Sequence, residues 1–147
     1  MEKKFINPPT IATPRGYTHI VTATSGRMIW ISGQVAFNVK GELVGKGDLR
    51  AQTTQVYENL KNALAAAGAT TADVVKVNTY VVDFKPADLA IIREVRGQYL
   101  PFENMPASTL VGVQALAFEG LLIEVEVVEV VVIFVDLLAA PDVLAVS

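Results

Sequence analysis

Cysteine is absent from the 147-residue chain, and histidine and tryptophan each occur once. The absence of cysteine excludes disulfides and thiolate chemistry, and it gives no sign of an oxidising compartment. The single histidine, His19, has no second histidine or cysteine with which to hold an ion, so we expect it to be structural. The sequence therefore predicts no metal site, and it implies no cofactor.

Charge is also scarce, because only 18% of the residues are charged, with 12 Lys and Arg against 15 Asp and Glu. A nucleic-acid surface needs clustered basic residues to neutralise phosphates, and here they are scattered, so we expect no nucleic-acid partner. The segment Met1–Pro9 has a basic pair but no apolar run before its prolines, which predicts no signal peptide and a cytoplasmic protein. The apolar run Val130–Val135 is too short to cross a membrane, so no membrane partner is expected.

Apolar residues, by contrast, are abundant. They make up 52% of a chain whose length suits one domain, 1–147, with a substantial core. This is more than a soluble monomer of this size needs. The surplus predicts a subunit interface.

Two amphipathic helices are predicted. Leu49–Ala67 repeats its apolar residues at helical spacing, with Asp48 suited to the N-cap and Gly68 to the position after the helix. A second helix is expected over Pro86–Leu100, with its proline in the first turn and Pro101 after its end.

The remaining regular segments are typical of β-strands. Asp73–Asp83 is rich in β-branched residues, and His19–Ala23 and Met28–Ser32 flank a tight turn at Thr24–Arg27. A short strand pair is expected around Lys40-Gly41. Two or three strands, a helix, a strand, a helix and a final hairpin form an α+β pattern, with both helices on one face of a single sheet. The other face is left for a partner subunit to cover.

The stretch Asn104–Val127 predicts that final hairpin. Ser108 and Thr109 open its first strand, and Glu124 and Glu126 lie on its second. Alternation separates Ser108 from Thr109 and places the two acids together. Since the apolar sides should face the helices, we expect the Ser108 side and the Glu124 side to share the uncovered face.

Hairpin geometry separates these groups within one chain. With a turn near Phe118–Gly120, Glu124 is expected opposite position 116, and at ~3.3 Å per residue it lies roughly 26 Å from Ser108. A site that contains both would lie between subunits, with Ser108 from one chain and Glu124 from its neighbour.

Five segments stand out in order along the chain: ISGQV (31–35), LKNALAAAGA (60–69), VVKVNTYVVD (74–83), MPAST (105–109) and IEVEVV (123–128). Together they resemble the reactive-intermediate deaminase family, known as Rid, YjgF or endoribonuclease L-PSP. The resemblance covers about residues 16–130 and leaves 131–147 as an atypical C-terminal extension, which could prolong the last strand. It implies a chorismate-mutase-like α+β fold and a homotrimer with small-molecule sites at its subunit interfaces.

The resemblance also implies roles for particular residues. Family members with imine deaminase activity read Pro-Ala-Arg-Ser or Pro-Ala-Arg-Thr, and that arginine binds the substrate carboxylate with its planar fork. Here the aligned residue is Ser108, so substrates of the 2-iminopropanoate type are in doubt, whereas a hydroxyl still suits a neutral polar ligand. The carboxylate that activates water maps to Glu124. Tyr17, Ser32 and Gly33 map to the pocket wall, and Thr109 stands beside Ser108.

Plainer interpretations stand beside these. Strand acids are usually solvated, Ser108 and Thr109 could only shape a turn, and Gly33 most simply relieves a bulge or a close approach. Arg93 and Arg96 could supply a replacement anion anchor, but a solvated helix face is the simpler expectation. Asn78 is expected to be a satisfied amide.

Two functions of different class follow. The first is a hydrolase that removes reactive enamines or imines, with Glu124 acting on water. The second is a module on the same trimer that binds a small metabolite or a protein without catalysis, which the missing arginine favours. A ribonuclease or translation inhibitor fits poorly with an acidic chain without a basic groove.

Overall fold

The computed structural model describes residues 1–132. It contains six strands and two α-helices, with a single 3₁₀ turn at Thr71–Asp73. The elements in chain order are β1 (Lys3–Ile6), β2 (Ile20–Ala23), β3 (Arg27–Gln34), α1 (Leu49–Ala66), β4 (Val74–Val82), α2 (Asp88–Arg96), β5 (Ala107–Val113) and β6 (Ile123–Val131). The predicted α+β class is confirmed.

The main sheet has four strands in the order β3, β6, β4, β5. The predicted hairpin of β5 and β6 is wrong, because β4 lies between them: it pairs in parallel with β5 and antiparallel with β6. The physical reason is the crossover through α2, which carries the chain back to the edge of β4 and starts β5 in the same direction as β4. The chain then passes over β4 before β6 begins.

A separate two-stranded ribbon accompanies this sheet. β1 pairs with β2, whereas β3 pairs with β6, so the two strands around the predicted turn at 24–27 belong to different sheets. The expectation of one sheet was therefore incomplete. Around Lys40-Gly41 only an isolated bridge, Phe37 to Leu43, closes the loop.

The first helix follows its sequence signals closely. The carboxylate of Asp48 accepts a hydrogen bond from the backbone N–H of Ala51 at 3.0 Å, which caps the first turn. Gly68 follows the helix with a φ of +72°, in the left-handed region that glycine adopts without strain. α2 is shorter than predicted, at nine residues.

Both helices pack on one face of the main sheet, here called the helix face. Ile92, Val56 and Leu60 from the helices form one core with Val77 and Val125 from the strands. The opposite face, here called the open face, is covered by neither helix. Its apolar members include Trp30, whose side chain is 69% exposed, and Met28.

The register of β5 corrects one expectation about the faces. Ser108 pairs with Val77, which is fully buried in the core, and Thr109 pairs with Asn78 on the open face. Paired residues in adjacent strands point to the same side of the sheet. Ser108 therefore belongs to the helix face and Glu124 to the open face, so the prediction that they share a face is wrong.

Gln52 and Glu129 are two of the polar side chains that are buried in the described residues. Gln52 donates to the carbonyls of Gly45 and Gly120 and accepts from the N–H of Leu122, at distances of 2.8 to 3.1 Å. Glu129 is 0% exposed, and within residues 1–132 neither of its carboxyl oxygens has a hydrogen-bond partner. Gln52 thus joins the loops that lead into α1 and β6.

Within residues 1–132 no helix is long and apolar enough to cross a membrane. β6 ends at Val131. The rest of the extension expected over 131–147 lies outside the described residues.

Candidate functional site

The open face carries a polar cluster at the centre of the sheet. Strand alternation brings Glu124 and Glu126 of β6 to this face, where they pair in register with Tyr80 and Asn78 of β4. The surrounding residues of both strands are β-branched, which favours the extended backbone that holds this register.

Glu126 is fixed by two neighbours. Its Oε1 accepts hydrogen bonds from Asn78 Nδ2 at 2.9 Å and from the Tyr80 hydroxyl at 3.0 Å. The bond to Glu126 is the main cause that raises the pKa of Tyr80, and burial adds to it. Tyr80 is therefore held protonated as a donor, and the prediction that Asn78 is a satisfied amide is confirmed.

Glu124 is placed differently. Within the described residues its carboxylate forms no hydrogen bond, and it lies against Gly33 of β3. A Cβ added to Gly33 would lie 1.8 Å from Glu124 Oε1 and 2.7 Å from Cδ. The register of β3 on β6 shifts between Ile31 and Gln34, so Gly33 sits in a bulge, as the plain interpretation of this glycine predicted.

Glu124 opens into a depression of about 410 Å³, here called the Glu124 hollow. It is lined by Tyr80, Val113, Ala115, Leu116, Ala117, Glu124 and Glu126. An unbonded carboxylate with apolar and hydroxyl neighbours is suited to hold a water molecule or a small polar ligand. Of the predicted site residues, the structure brings Glu124 and Gly33 together.

Ser32 lies on the other side of Glu126. It lines a second depression of about 360 Å³ with Trp30, Lys76, Asn78 and Glu126. Lys76 Nζ donates to the hydroxyl of Thr109 at 2.7 Å, so Thr109 also faces this side of the sheet. Ser32 is thus near Glu126 in a neighbouring depression, and Thr109 is bonded to Lys76, which lines it.

Tyr17 lies at the opposite edge of the sheet. The N–H of Thr18 donates to the Pro106 carbonyl at 3.1 Å, and Thr18 pairs in parallel with Ala107 at the start of β5. Tyr17 lines a small depression of about 200 Å³ with Phe102, here called the Tyr17 hollow. The structure therefore places Tyr17 beside the strand start that carries Ser108.

The residues around Glu124 and the residues around Ser108 do not meet within one chain. Ser108 of β5 pairs with Val77 of β4, and Glu124 of β6 pairs with Tyr80, three residues further along β4. Because β4 lies between β5 and β6, this offset puts the Cα atoms of Ser108 and Glu124 roughly 14 Å apart. They also lie on opposite faces. The estimate of roughly 26 Å rested on the wrong hairpin, but the separation itself remains.

The expectation of a solvated helix face holds for Arg93 and is wrong for Arg96. Arg96 is 8% exposed and donates from Nη2 to the carbonyl of Gly16 at 2.6 Å. Arg93 donates to the carbonyl of Arg15 at 3.0 Å. Both arginines thus reach the loop that carries Tyr17.

His19 is held by local contacts. Its Nε2 lies 2.7 Å from the carbonyl oxygen of Ala12, and its ring meets that of Tyr17 edge to face. In the part of the chain that the structure describes, no group of three potential ligands could hold a metal ion.

Three residues of the cluster escaped the sequence interpretation as functional groups: Lys76, Asn78 and Tyr80. All three occupy alternate positions of one β-branched strand, which is a detectable signal of a polar stripe on one face. The sequence did not connect this stripe with the acids, because β4 was not expected to lie between β5 and β6.

Comparison with known proteins identifies the family. The family model described as endoribonuclease L-PSP matches residues 9–131. The chain belongs to this family, which is the Rid family of the sequence resemblance.

Other Rid proteins agree with this assignment. A RutC family protein of Pyrococcus horikoshii is 41% identical over 105 residues, which are 71% of this chain and 79% of the relative. A 2-iminobutanoate/2-iminopropanoate deaminase of Dermatophagoides farinae is 33% identical over 134 residues, 89% of this chain and 97% of the relative. A Rid protein of unknown function from Yersinia pestis, YyfB, has a solved structure with a TM-score of 0.81. It is 48% identical, covering 89% of this chain and all of that one.

Proposed function

We propose that this Rid protein hydrolyses small reactive enamines and imines and releases ammonia. The observation that carries the proposal is the position of Glu124. Its carboxylate lies in the Glu124 hollow, against Gly33, with no hydrogen-bond partner among the described residues, whereas Glu126 beside it is already bonded. A relative that is 33% identical is named an imine deaminase, which supports the same chemistry.

The reaction requires one carboxylate that can accept and return a proton. Glu124 takes a proton from water as the water oxygen bonds to the imine carbon, and it returns that proton to the nitrogen. The carbinolamine then loses its hydroxyl proton to the amino group through the same carboxylate. The carbon–nitrogen bond breaks, and a carbonyl compound and ammonia leave. An enamine first takes a proton on its β carbon and loses one from its nitrogen, which converts it to the imine.

We further propose that the sites lie between subunits of a trimer formed through the open face. Exposed Trp30, Met28 and Val111 give that face an apolar surface that a monomer would leave in water. Glu124 would then come from the open face of one chain, and Tyr17 and Ser108 from the β5 edge of its neighbour, because the Ser108 side chain itself belongs to the helix face. Both halves are present in each chain but lie apart, which is the arrangement that a shared site requires.

Within that site, the sequence resemblance aligns Ser108 with the arginine of family members that have imine deaminase activity. We propose that it alters substrate preference, since a hydroxyl offers one donor and no charge. Ser32, Gly33 and Thr109 would contribute hydroxyl groups and a close backbone approach. The expected substrates are small, because the Glu124 hollow has a volume of about 410 Å³.

The test measures ammonia release from freshly generated enamines and imines, with and without a carboxylate. The native protein should exceed buffer on at least one substrate, and Glu124→Gln should lower kcat by about 10² to 10⁴-fold, the usual contribution of a positioned acid–base group. Glu126→Gln, an identical substitution on the same strand face, should lower it less, because Glu126 is already bonded to Asn78 and Tyr80.

Glu42→Gln, in an exposed loop, is the control and should match the native protein. Native ammonia release equal to buffer on every substrate would rule out the enzyme. Sedimentation should show a particle of three chains, and a monomer would remove the shared site.

A second function is favoured by the serine at position 108. On this alternative the trimer binds a small metabolite or another protein and performs no chemistry. It predicts saturable ligand binding that Glu124→Gln leaves intact, together with ammonia release at the buffer rate. Measurements of ligand binding and ammonia release on the native protein and on Glu124→Gln therefore distinguish the two functions.

A further inference from the structure

Two arginines of α2 converge on one glycine at the loop that carries Tyr17. A Cβ added to Gly16 would lie 3.2 Å from Arg96 Nη2 and 3.8 Å from Arg93 Nε. Gly16 has a φ of +77°, a conformation that L side chains rarely adopt. The glycine thus lets both guanidinium groups approach the same stretch of backbone.

The positive charge of this pair is not balanced by a carboxylate. Within residues 1–132 neither Arg93 nor Arg96 forms an ion pair, and the nearby acid on α2, Glu94, is already bonded to both terminal nitrogens of Arg50 at 2.8 Å. Arg96 is more than nine-tenths buried, and its Nε has no hydrogen-bond partner. Two like charges lie together, one of them enclosed.

Such an arrangement costs stability. Burial lowers the pKa of Arg96, which Tyr57 partly offsets, and the charge of Arg93 lowers it further. An arginine nevertheless remains protonated in a protein, so the buried charge persists. An unpaired buried charge is unfavourable, and a bound anion would relieve it.

We propose that Arg93 and Arg96 form an anion site that takes the carboxylate of a small monocarboxylate substrate, and so replace the anchor that Ser108 does not supply. This inference rests on the proposed function, because it assigns a substrate group to the same site. The loop they hold leads directly to Tyr17, and Thr18 pairs with Ala107, the neighbour of Ser108.

Arg93 and Arg96 differ in exposure, and we expect different roles for them in anion binding. Arg93 is exposed and uses one nitrogen for the Arg15 carbonyl, so its remaining donors are free to bind both oxygens of a carboxylate. Arg96 is buried, adds a second positive charge close to the same loop and donates to the Gly16 carbonyl. Glu103 lines the adjoining Tyr17 hollow, and its negative charge disfavours a second carboxylate, so monocarboxylates should bind better than dicarboxylates.

The test compares pyruvate with its neutral analogue pyruvamide in calorimetric titrations of the full-length protein. Native protein should bind pyruvate at least tenfold more tightly than pyruvamide. Arg93→Gln should weaken pyruvate binding at least tenfold and leave pyruvamide unchanged. Arg27→Gln removes the same formal charge from another exposed arginine that donates to one backbone carbonyl, that of Ala67, and should alter pyruvate binding less than twofold.

A second variant distinguishes a loss of anion binding from a loss of folded structure. Arg96→Lys keeps the charge but loses the planar fork, and it should weaken pyruvate binding while leaving the circular dichroism spectrum unchanged. Equal binding of the two ligands by native protein, binding of neither, or pyruvate binding unaffected by Arg93→Gln would overturn the proposal.

The anion site and the deaminase fail separately. If Arg93→Gln weakens pyruvate binding but no substrate yields ammonia, the anion site is supported and the proposed reaction is refuted. If neutral imines yield ammonia and pyruvate does not bind, the reaction stands and the anion site falls. Glu124→Gln should lose ammonia release and retain pyruvate binding.

Discussion

Replacing Gly33 with alanine places one methyl group where the Glu124 carboxylate lies. The new Cβ would be 1.8 Å from Oε1, 2.7 Å from Cδ and 2.9 Å from Cγ, whereas ordinary contacts begin near 3.4 Å. The nearest oxygen would have to retreat by about 1.6 Å. Because the clash reaches as far back as Cγ, a turn of the carboxylate alone does not remove it, and Glu124 must change its rotamer.

The size of the effect follows from that displacement. An error of about 1 Å in a reacting group costs roughly 10²-fold in rate, so Gly33→Ala should lower ammonia release by about that factor. Overpacking of this kind costs about 1 to 3 kcal/mol of folding stability. For a chain of this length that corresponds to a fall in Tm of about 3 to 10 °C.

The assay combines ammonia release with thermal unfolding at a fixed protein concentration. Gly112→Ala, on β5, is the matched control: its added Cβ would lie 3.1 Å from Phe84 Cβ and none of its nearest atoms belongs to Glu124, so ammonia release should not change. A double-mutant cycle identifies the contact. In a Glu124→Ala background, Gly33→Ala should cost less than about 0.5 kcal/mol, because the obstructing side chain is gone.

Either of two results would refute this reasoning. If Gly33→Ala keeps full ammonia release, the position of Glu124 against this glycine does not matter for the reaction. If Gly33→Ala costs the same stability with and without the Glu124 side chain, the strain comes from the bulge backbone and not from the carboxylate.

Two further predictions concern stability. Burial, reinforced by the charge of Asp73, raises the pKa of Glu129 from 4.5 to about 7, so the native state keeps a proton that the unfolded chain releases. Stability contributed by this group should therefore fall as pH rises from about 4.5 to 7, by on the order of 3 kcal/mol at most, and urea unfolding of Glu129→Gln should lack this part of the pH dependence. Gln52→Ala should cost about 2 to 4 kcal/mol in urea unfolding, because it leaves the partly buried backbone groups of Gly45, Gly120 and Leu122 without their partner. A loss under about 0.5 kcal/mol would show that these three bonds do not hold the loops together.

Local patterns predicted the local structure well. The apolar spacing of residues 49–67 and the Asp48 cap specify α1 without reference to the rest of the chain, and alternation placed Glu124 and Glu126 on the open face. These features depend on neighbours in sequence. Gln52 escaped notice because a glutamine in a helix looks like a surface residue until the loops it joins are known.

Strand pairing was not predictable in the same way. Two apolar strands separated by a glycine-containing loop favour a hairpin. Each strand can pair only with the strands that the rest of the fold places beside it, and β4 already occupies the position next to β5. The succession of β4, α2 and β5 carries the opposing signal of a parallel crossover, and it decides the arrangement. This one difference moved Ser108 to the helix face and brought Tyr80 and Asn78 beside the acids.

The place of β6 in the sheet has a consequence for synthesis. β6 is the last strand of the described chain, yet it lies between β3 and β4. Until residues 123–131 have left the ribosome, β3 has no partner in the main sheet and β4 is paired only with β5. Unpaired apolar edges of this kind invite aggregation, so the nascent chain passes through a period in which its strands are open to pairing with other chains. The sheet closes only when the strand that carries Glu124 arrives.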